Sequence, residues 1–149
     1  MKIYLASSWR NKNQPMVVKL LRELGHEVYD FRNPVPGITG FSWDNVDVDW
    51  MFWKTDEFVD AIKWGPQFIE DGFHLDKSAL DQCDTCVLLL PCGRSAHLEV
   101  GYAIGQGKPT IIVLDQEKFE PELMYLLADA VVPNLTGLPE ALDGLRSAS

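Results

Sequence analysis

The chain has 149 residues, of which 46% are hydrophobic and 23% are charged, and its formal net charge is −9. A chain of this length and composition is expected to form one globular domain whose core needs no disulfide or metal. The acidic balance argues against nucleic acid or an anionic membrane surface as a partner, because both favour basic proteins.

The first elements of the chain alternate between strand and helix patterns. Residues 2–7 (KIYLAS) are an apolar strand candidate, 8–15 are a polar turn, and 16–25 (MVVKLLRELG) have helical spacing bounded by a proline and a glycine. A second strand at 26–31 (HEVYDF) completes a βαβ unit. This unit predicts a parallel sheet with right-handed crossovers.

The segment 41–73 is rich in aromatic and acidic residues. It holds nine of the 16 aromatic residues, and eight acids against two lysines give it a net charge of −6. Helical spacing predicts two stripes within and just beyond 47–63. The stripe expected to face the core contains Val48, Met51, Phe52, Thr55, Val59 and Ile62. The second contains Trp50, Trp53, Trp64, Glu57 and Asp60. It is either a subunit interface or secondary core, or an aromatic wall that stacks a planar ligand.

The second half of the chain continues the alternation. A continuous apolar run at 84–91 (DTCVLLLP) is typical of a strand buried on both faces. The later elements are a helix, a strand, a helix, a short strand and a last helix, at 95–107, 109–115, 120–130, 131–133 and 138–146. The pattern predicts a doubly wound, flavodoxin-like α/β fold: a five-stranded parallel sheet with helices on both faces.

This prediction treats 1–149 as a single domain with a Trp-rich acidic insertion at about 41–73. In doubly wound sheets, ligands bind at the carboxyl ends of the strands, beside the switch in strand order. The turns 7–11 (SSWRN) and 91–95 (PCGRS) follow the first and third strands. These two turns therefore mark the candidate site.

The three cysteines, Cys83, Cys86 and Cys92, lie in or near one strand. A single C-x-x-C without a second pair does not complete a zinc site, so buried, inert thiols are expected. The odd cysteine count and the lack of a signal peptide favour a cytoplasmic location, and no apolar run approaches the roughly 20 residues that cross a membrane. The three histidines are too scattered to be ligands, and no metal or cofactor is expected.

Glu99 is the first candidate for chemistry. If Ser95 caps the helix at 95–107, Glu99 falls at the end of its first turn, where the helix dipole favours a carboxylate. The core stripe Val100, Ala103 and Ile104 leaves Glu99 at its edge, aimed toward the strand ends. A solvated glutamate that only suits the dipole is the alternative.

A second carboxylate would favour chemistry, and three aspartates precede the strand at 84–91. Asp84 fits a turn, Asp81 fits a solvated surface, and Asp76 fits either the cap of a short helix ending at Gln82 or a site residue. Two carboxylates at one site can divide the work between an ionised nucleophile and a proton donor.

The chain resembles the nucleoside 2-deoxyribosyltransferase superfamily, which includes the 2'-deoxynucleoside 5'-phosphate N-hydrolases. The similarity covers roughly 1–31 and 73–132, in KIYLASSWR, HLDKSALDQCDTCVLLL, LEVGYAIGQGKPTIIVL and ELMYLL. Its most specific part is a combination of two features. Asp76 lies eight residues before Asp84 at the edge of the strand, and the pattern E-x-G-Y-A-x-x-x-G-K occupies residues 99–108.

The resemblance implies an enzyme without a cofactor, with Glu99 as the nucleophile on the anomeric carbon of a sugar. It implies that Asp76 assists departure of the base and that the Tyr4 hydroxyl steadies Glu99. Met124 matches a methionine that the transferases bring from a neighbouring subunit, although their asparagine two residues earlier is Glu122 here. A homo-oligomer, a dimer or larger, is therefore expected.

One departure from the transferases concerns the sugar's 5' position. Their aspartate six residues before the nucleophile is Gly93 here, followed by Arg94 and Ser95. The phosphate-hydrolysing members have serine and glycine there and a Ser-x-Arg in the first turn, which matches Ser8-Trp9-Arg10. Hydroxyls, guanidinium groups and helix amides suit a phosphate. A nucleoside 5'-monophosphate is therefore the favoured substrate. Trp9 matches the aromatic residue that the transferases have at this position, which leaves an unphosphorylated nucleoside as the other choice.

The function expected from these residues is cleavage of an N-glycosidic bond with release of the base, from a deoxyribonucleotide in preference. Sugar transfer between bases, hydrolysis of NAD, and nucleotide binding without turnover are the alternatives. The alternative for Arg10 and Arg94 is that they are ordinary exposed arginines on the surface.

Overall fold

The computed structural model describes residues 1–118 and 120–147. It divides into two compact units. The first joins Met1–Asp30 to Leu80–Ser149, and the second is Phe31–Ala79. The Trp-rich acidic segment 41–73 lies inside the second unit.

The first unit is built on a five-stranded sheet in which every neighbouring pair is parallel. The strand order is β2-β1-β3-β4-β5, so the order reverses between β1 and β3. This arrangement confirms the predicted flavodoxin-like sheet. The strands are β1 Lys2–Ala6, β2 Glu27–Tyr29, β3 Thr85–Leu89, β4 Thr110–Val113 and β5 Ala130–Val132.

Five α-helices and four short 3₁₀ helices occur in the described residues. The α-helices are α1 Gln14–Glu23, α2 Thr55–Trp64, α3 Phe68–Gln82, α4 Arg94–Gly105 and α5 Leu138–Ser147. The 3₁₀ helices are Trp43–Asn45, Trp50–Phe52, Leu123–Leu127 and Leu135–Gly137. A proline in the first turn of α1 and Gly25 at φ +83° after its end set its limits, as predicted.

One face of the sheet carries an apolar cluster formed with α1 and α5, which we call the α1/α5 cluster. From β1 it takes Ile3 and Leu5, which alternate with Tyr4 and so leave Tyr4 on the other face. Its remaining members are Val17, Val18, Leu21, Val28, Val87, Leu89, Ile111, Val113, Leu138 and Leu142. Each fully buried leucine contributes about 1.5–3 kcal/mol to stability.

The opposite face of the sheet is covered by α4, which contacts β3, β1 and β4. Its buried side chains are Ala96, Val100 and Ala103, and none of them belongs to the α1/α5 cluster. The sheet therefore presents Tyr4 of β1 and Cys86 of β3 on the side that α4 packs against.

The helix predicted at 120–130 is wrong, because only Leu123–Leu127 is helical and it is a 3₁₀ helix. Asp129 explains the short length: its carboxylate accepts from Thr110 N at 2.8 Å and its own N donates to Thr110 O at 3.0 Å. The chain must therefore be extended before β5 begins at Ala130.

The core-facing stripe predicted within 47–63 is also wrong. Two 3₁₀ helices and α2 replace a continuous helix, because Trp53 adopts an extended conformation (φ −59°, ψ 140°) just before α2. Val48, Met51 and Phe52 are 79%, 69% and 84% exposed. The second unit instead packs a cluster of ring contacts among Phe41, Trp43, Trp53, Phe58 and Phe68.

The predicted tryptophan stripe divides as well. Trp50 and Trp53 donate their indole N–H groups to Asp44 and Asp47, each at 2.7 Å, whereas Trp64 is 83% exposed. Trp53 therefore belongs to the core of the second unit, and the three tryptophans do not share one environment.

Candidate active site

The loops after β1 and β3 are joined where the strand order reverses. Ser7 Oγ donates to Leu89 O at 2.9 Å, and Asn11 Nδ2 donates to Pro91 O at 3.3 Å. A third loop joins them, because Asn13 Nδ2 donates to Asp115 Oδ2 at 3.0 Å after β4. The two turns selected from the sequence therefore form one edge, as expected for a ligand site in this fold.

The turn after β1 is shaped by its own polar side chains. Ser8 Oγ accepts from Arg10 N at 3.1 Å, and Asn11 Oδ1 accepts from Asn13 N at 2.9 Å just before α1. Asn11 is buried, which the sequence analysis missed because a polar turn offers no signal for burial. Trp9 is 39% exposed and Arg10 is exposed. The Arg10 guanidinium forms no hydrogen bond or ion pair with another residue that the structure describes.

The residue that caps α4 is Gly93, so the prediction that Ser95 caps this helix is wrong. Gly93 has extended dihedral angles (φ −96°, ψ −164°), and Arg94 and Ser95 are the first two helical residues. Both side chains are exposed and are bonded to no other residue in the described part of the chain. The open amides of this turn and the Arg94 guanidinium can receive an anion.

Glu99 consequently lies in the second turn of α4, not the first, and the helix dipole does not account for it. Its side chain is half-buried. Burial raises the pKa of the Cys92 thiol to about 12, and the negative charge of Glu99 contributes to that rise. Burial, Cys83 and then Glu99 also raise the pKa of Cys86. The Glu99 carboxylate therefore acts on residues of β3 and the loop that follows it.

Tyr4 lies on the same face of the sheet as α4. It is fully buried, its Cα pairs with that of Cys86, and its ring stacks on Tyr29 with the centroids 5.2 Å apart. Glu99 lies on α4, which packs against β1 and β3 on this face of the sheet. Two of the three residues predicted to be catalytic thus belong to one side of the first unit.

Asp76, Asp81 and Asp84 differ in their burial and in their hydrogen-bond partners. Asp84 accepts from Lys2 N at 2.7 Å and donates its N to Lys2 O, so it fixes the amino-terminal edge of the sheet, away from the candidate site. Asp81 is exposed and accepts from Tyr102 Oη at 2.7 Å. Asp76 is half-buried in the middle of α3, within the second unit. The prediction that it could cap a short helix is therefore wrong.

Met124 lies in the 3₁₀ helix Leu123–Leu127 and is 58% exposed. The Glu122 carboxylate accepts from Met124 N at 2.9 Å and caps this helix. Glu122 therefore has a local structural role. Tyr125 was not among the residues predicted from the sequence, and its hydroxyl lies 2.8 Å from His97 Nε2 on α4.

Comparison with known proteins places the fold. No protein-family model matches the chain, and no curated protein matches its sequence. Among solved structures, a 2-deoxyribosyltransferase from Bacillus psychrosaccharolyticus matches with a TM-score of 0.65 and 18% identity, over 93% of this chain and 90% of that chain. A CMP N-glycosidase from Clostridium botulinum matches with a TM-score of 0.55 and 16% identity, over 96% of this chain and 99% of that chain. The chain shares their fold. The predicted resemblance is thus confirmed at the level of architecture along nearly the whole length of both structures.

The three cysteines lie in buried or half-buried positions. Cys83 and Cys86 are buried and Cys92 is half-buried, and burial is the largest cause of the raised pKa of each thiol. Within 1–118 and 120–147, no group of three or more His, Cys, Asp or Glu residues could hold a metal ion. No helix in these ranges is long and apolar enough to cross a membrane.

The pKa of the Cys92 thiol tests whether the Glu99 carboxylate faces β3. Replacing Glu99 by glutamine removes a negative charge, so the pKa of Cys92 should fall from about 12 and its thiolate should become more abundant at any alkaline pH below that value. The measurement is the rate of iodoacetamide alkylation of the Cys92 peptide against pH, by mass spectrometry. Glu140→Gln on α5 is the control and should change nothing. Equal rates in Glu99→Gln and the unchanged protein would mean that the carboxylate faces away from β3.

Proposed function

We propose that the protein is an enzyme that cleaves the N-glycosidic bond of a nucleoside 5'-monophosphate, a deoxyribonucleotide in preference, and releases the base. The observation that carries the proposal is the position of Glu99: it is half-buried on α4, the helix that packs against β1 and β3 where the strand order reverses. A carboxylate held at the ligand edge of a doubly wound sheet is suited to reaction with a bound sugar.

In the proposed reaction, a Glu99 carboxylate oxygen bonds to the anomeric carbon as the bond from that carbon to the base nitrogen breaks. The electron pair of the broken bond stays with the base, which takes a proton from the carboxyl group of Asp76. Water then attacks the glycosyl ester, gives its proton to the Asp76 carboxylate and releases the sugar phosphate, and Glu99 is restored. The oxocarbenium-like transition states of both steps are stabilised by the negative charge of Glu99.

Tyr4 is proposed to steady Glu99 through its hydroxyl. Its complete burial and its stacking on Tyr29 fix the ring, so the hydroxyl would have one orientation. A phenol that donates to the nucleophile keeps one carboxylate oxygen from rotating away from the sugar. Its removal should therefore slow both steps without changing the substrate preference.

The 5'-phosphate is proposed to bind Ser8 and Arg10 after β1 together with Gly93, Arg94 and Ser95 at the start of α4. Two features support this. The guanidinium groups of Arg10 and Arg94 engage no described residue, in a protein whose net charge is −9, and α4 presents open amides at the same edge. Moreover, the glycosidase with the same fold is named for CMP, which is a nucleoside monophosphate.

Transfer of the sugar to a second base is the second candidate, and the match to a 2-deoxyribosyltransferase favours it. In a transfer, a base replaces water in the second step, while Glu99 acts in the same way. Met124 and its exposed apolar neighbours are then proposed to contact a second copy of the chain, which makes the enzyme a homo-oligomer.

The test is incubation with a panel of nucleosides, their 5'-monophosphates and NAD, with free base, including nicotinamide, followed by chromatography. We expect base release from monophosphates, fastest for the deoxyribonucleotides. Addition of a second free base separates hydrolysis from transfer, because only a transferase yields the new nucleotide. Release of nicotinamide alone would make the protein an NAD glycohydrolase, and tight nucleotide binding without any base release would make it a sensor. Either result would refute the proposal.

A further inference from the structure

Tyr125 holds the 3₁₀ helix Leu123–Leu127 against α4. The other four residues of this helix are exposed, at 74%, 58%, 82% and 55% for Leu123, Met124, Leu126 and Leu127. Tyr125 instead turns inward: its Oη lies 2.8 Å from His97 Nε2, and the two rings stack with centroids 5.8 Å apart and planes 16° from parallel. The contact between Tyr125 and His97 therefore holds this helix against α4.

His97 extends this contact to the first turn of α4. Its Nδ1 lies 2.8 Å from the carbonyl oxygen of Gly93, the capping residue, and 3.7 Å from Cys92 Sγ. A carbonyl oxygen can only accept, so the proton of the neutral ring must be on Nδ1. Nε2 then has only its lone pair, and the Tyr125 hydroxyl must donate to it. Burial raises the pKa of Tyr125, with Cys92 and Glu122 adding to the rise, so the hydroxyl keeps its proton.

The orientation of the Gly93 carbonyl matters for the amides beside it. A peptide group is planar, so the direction of Gly93 C=O sets the opposite direction of the Arg94 N–H. That N–H is one of the first amides of α4, which have no partner inside the helix. The Gly93 carbonyl and the Tyr125 hydroxyl together therefore favour the Nδ1–H tautomer of His97, His97 holds the Gly93 carbonyl, and the carbonyl aims the Arg94 amide.

We propose that His97 and Tyr125 are positioning residues that hold the start of α4 in the orientation that binds the 5'-phosphate. The effect on substrate rests on the proposed function, whereas the effect on the tautomer of His97 does not. The pair should set the affinity for phosphate-bearing substrates and leave the cleavage of the glycosidic bond almost unchanged, because neither side chain is proposed to touch the sugar or the base.

The first test is the ¹⁵N spectrum of the histidine rings in the substrate-free protein at about pH 8, above the ordinary histidine pKa of about 6.5. The chain has three histidines, and a His97→Asn sample identifies the His97 signals. We expect the Nδ1–H tautomer in the unchanged protein and a shift toward the Nε2–H tautomer in Tyr125→Phe. Tyr102→Phe, which removes a 2.7 Å hydrogen bond to Asp81 from the far end of α4, is the control and should leave His97 unchanged. An unaltered His97 spectrum in Tyr125→Phe would overturn the proposal.

The second test is steady-state kinetics on a 5'-monophosphate and on the matching nucleoside. Loss of a net hydrogen bond predicts that Tyr125→Phe raises the KM for the monophosphate about three- to tenfold. The kcat and the KM for the nucleoside should stay within about twofold, as judged from the same free-energy scale. His97→Asn places an amide N–H near the position of Nδ1 and should retain a low KM, whereas His97→Ala should raise it. An equal loss on the nucleoside, or a fall in kcat with KM unchanged, would refute the positioning role.

The two tests separate failure of this inference from failure of the proposed function. A protein that releases no base from any substrate would refute the proposed function, and the ¹⁵N spectrum would still decide whether Tyr125 sets the tautomer of His97. A protein that releases base, but whose Tyr125→Phe variant has an unaltered His97 tautomer and KM, would keep the proposed function and refute the inference.

Discussion

Replacing Glu99 by glutamine is expected to abolish base release, with kcat falling by a factor on the order of 10³ or more. Glutamine has nearly the same shape as glutamate, so the packing of α4 should be kept. It carries no negative charge to stabilise the oxocarbenium-like state and forms no glycosyl ester. The measurement is free base against time for the best substrate in the panel, with protein folding checked by circular dichroism.

Two further observations sharpen the Glu99 prediction. Rapid quenching of the unchanged enzyme should yield a Glu99 peptide heavier by one sugar phosphate, which identifies the covalent intermediate by mass spectrometry. Glu140→Gln on α5, whose Leu138 and Leu142 pack into the α1/α5 cluster, should retain full activity. Base release that persists in Glu99→Gln would remove Glu99 as the nucleophile and with it the proposed mechanism.

Replacing Arg10 by glutamine should weaken the use of nucleoside 5'-monophosphates selectively. A hydrogen bond to a charged group is worth about 1.5–3 kcal/mol, so kcat/KM for a monophosphate should fall about 10- to 150-fold. Activity on the unphosphorylated nucleoside should be nearly unchanged, since the nucleoside has no anion to meet the guanidinium. The ratio of the two kcat/KM values, measured on one enzyme preparation, is therefore the quantity to compare.

Arg94→Gln should act in the same direction as Arg10→Gln, because both guanidinium groups lie at the same edge of the sheet and neither bonds to a residue within 1–118 or 120–147. Arg146→Gln on α5 is the matched control, since it removes the same charge from the other face. Loss of activity to the same degree with and without the 5'-phosphate would show that Arg10 supports the fold of its turn. A stable, unselective variant would thus contradict the phosphate site.

The sheet could be predicted because its determinants are local. The continuous apolar run of β3 and the strand–helix–strand spacing of 2–31 each require a parallel sheet. The start of α4 could not be predicted as well. Ser95 has the favoured side chain for a cap, but the chain turns into the helix at Gly93, whose extended backbone fits the loop after β3. A shift of two residues was enough to move Glu99 by half a turn.

The second unit shows where periodicity fails. The stripes of 47–63 assume one continuous helix, whereas Trp53 interrupts the chain and Asp47 binds its indole. The packing of Trp43 against Trp53 and Phe58 joins residues from three elements, so no single helical period could reveal it. Exposed side chains such as Phe52 then occupy positions that the pattern assigned to the core.

Only some residues of the candidate site have a signal in the sequence. Glu99, Arg10 and Arg94 stand out because their charges interrupt segments next to predicted strand ends. His97 and Tyr125 have no such signal, because 28 residues separate them and their contact exists only after α4 and the 3₁₀ helix are in place. Asp76 was selected through the family resemblance, in which its spacing to Asp84 is a feature, and its place in the site stays a prediction. Its helix begins at Phe68, well before the position assumed.

The two faces of the sheet differ: one carries the α1/α5 cluster, and the other is packed against α4. The α1/α5 cluster contains none of the side chains proposed to meet the substrate. Under the proposed function, the packing around Leu138 and Leu142 can therefore be redesigned for stability without changing a residue that meets the substrate. Gains in melting temperature there should come without the loss of turnover that usually accompanies them.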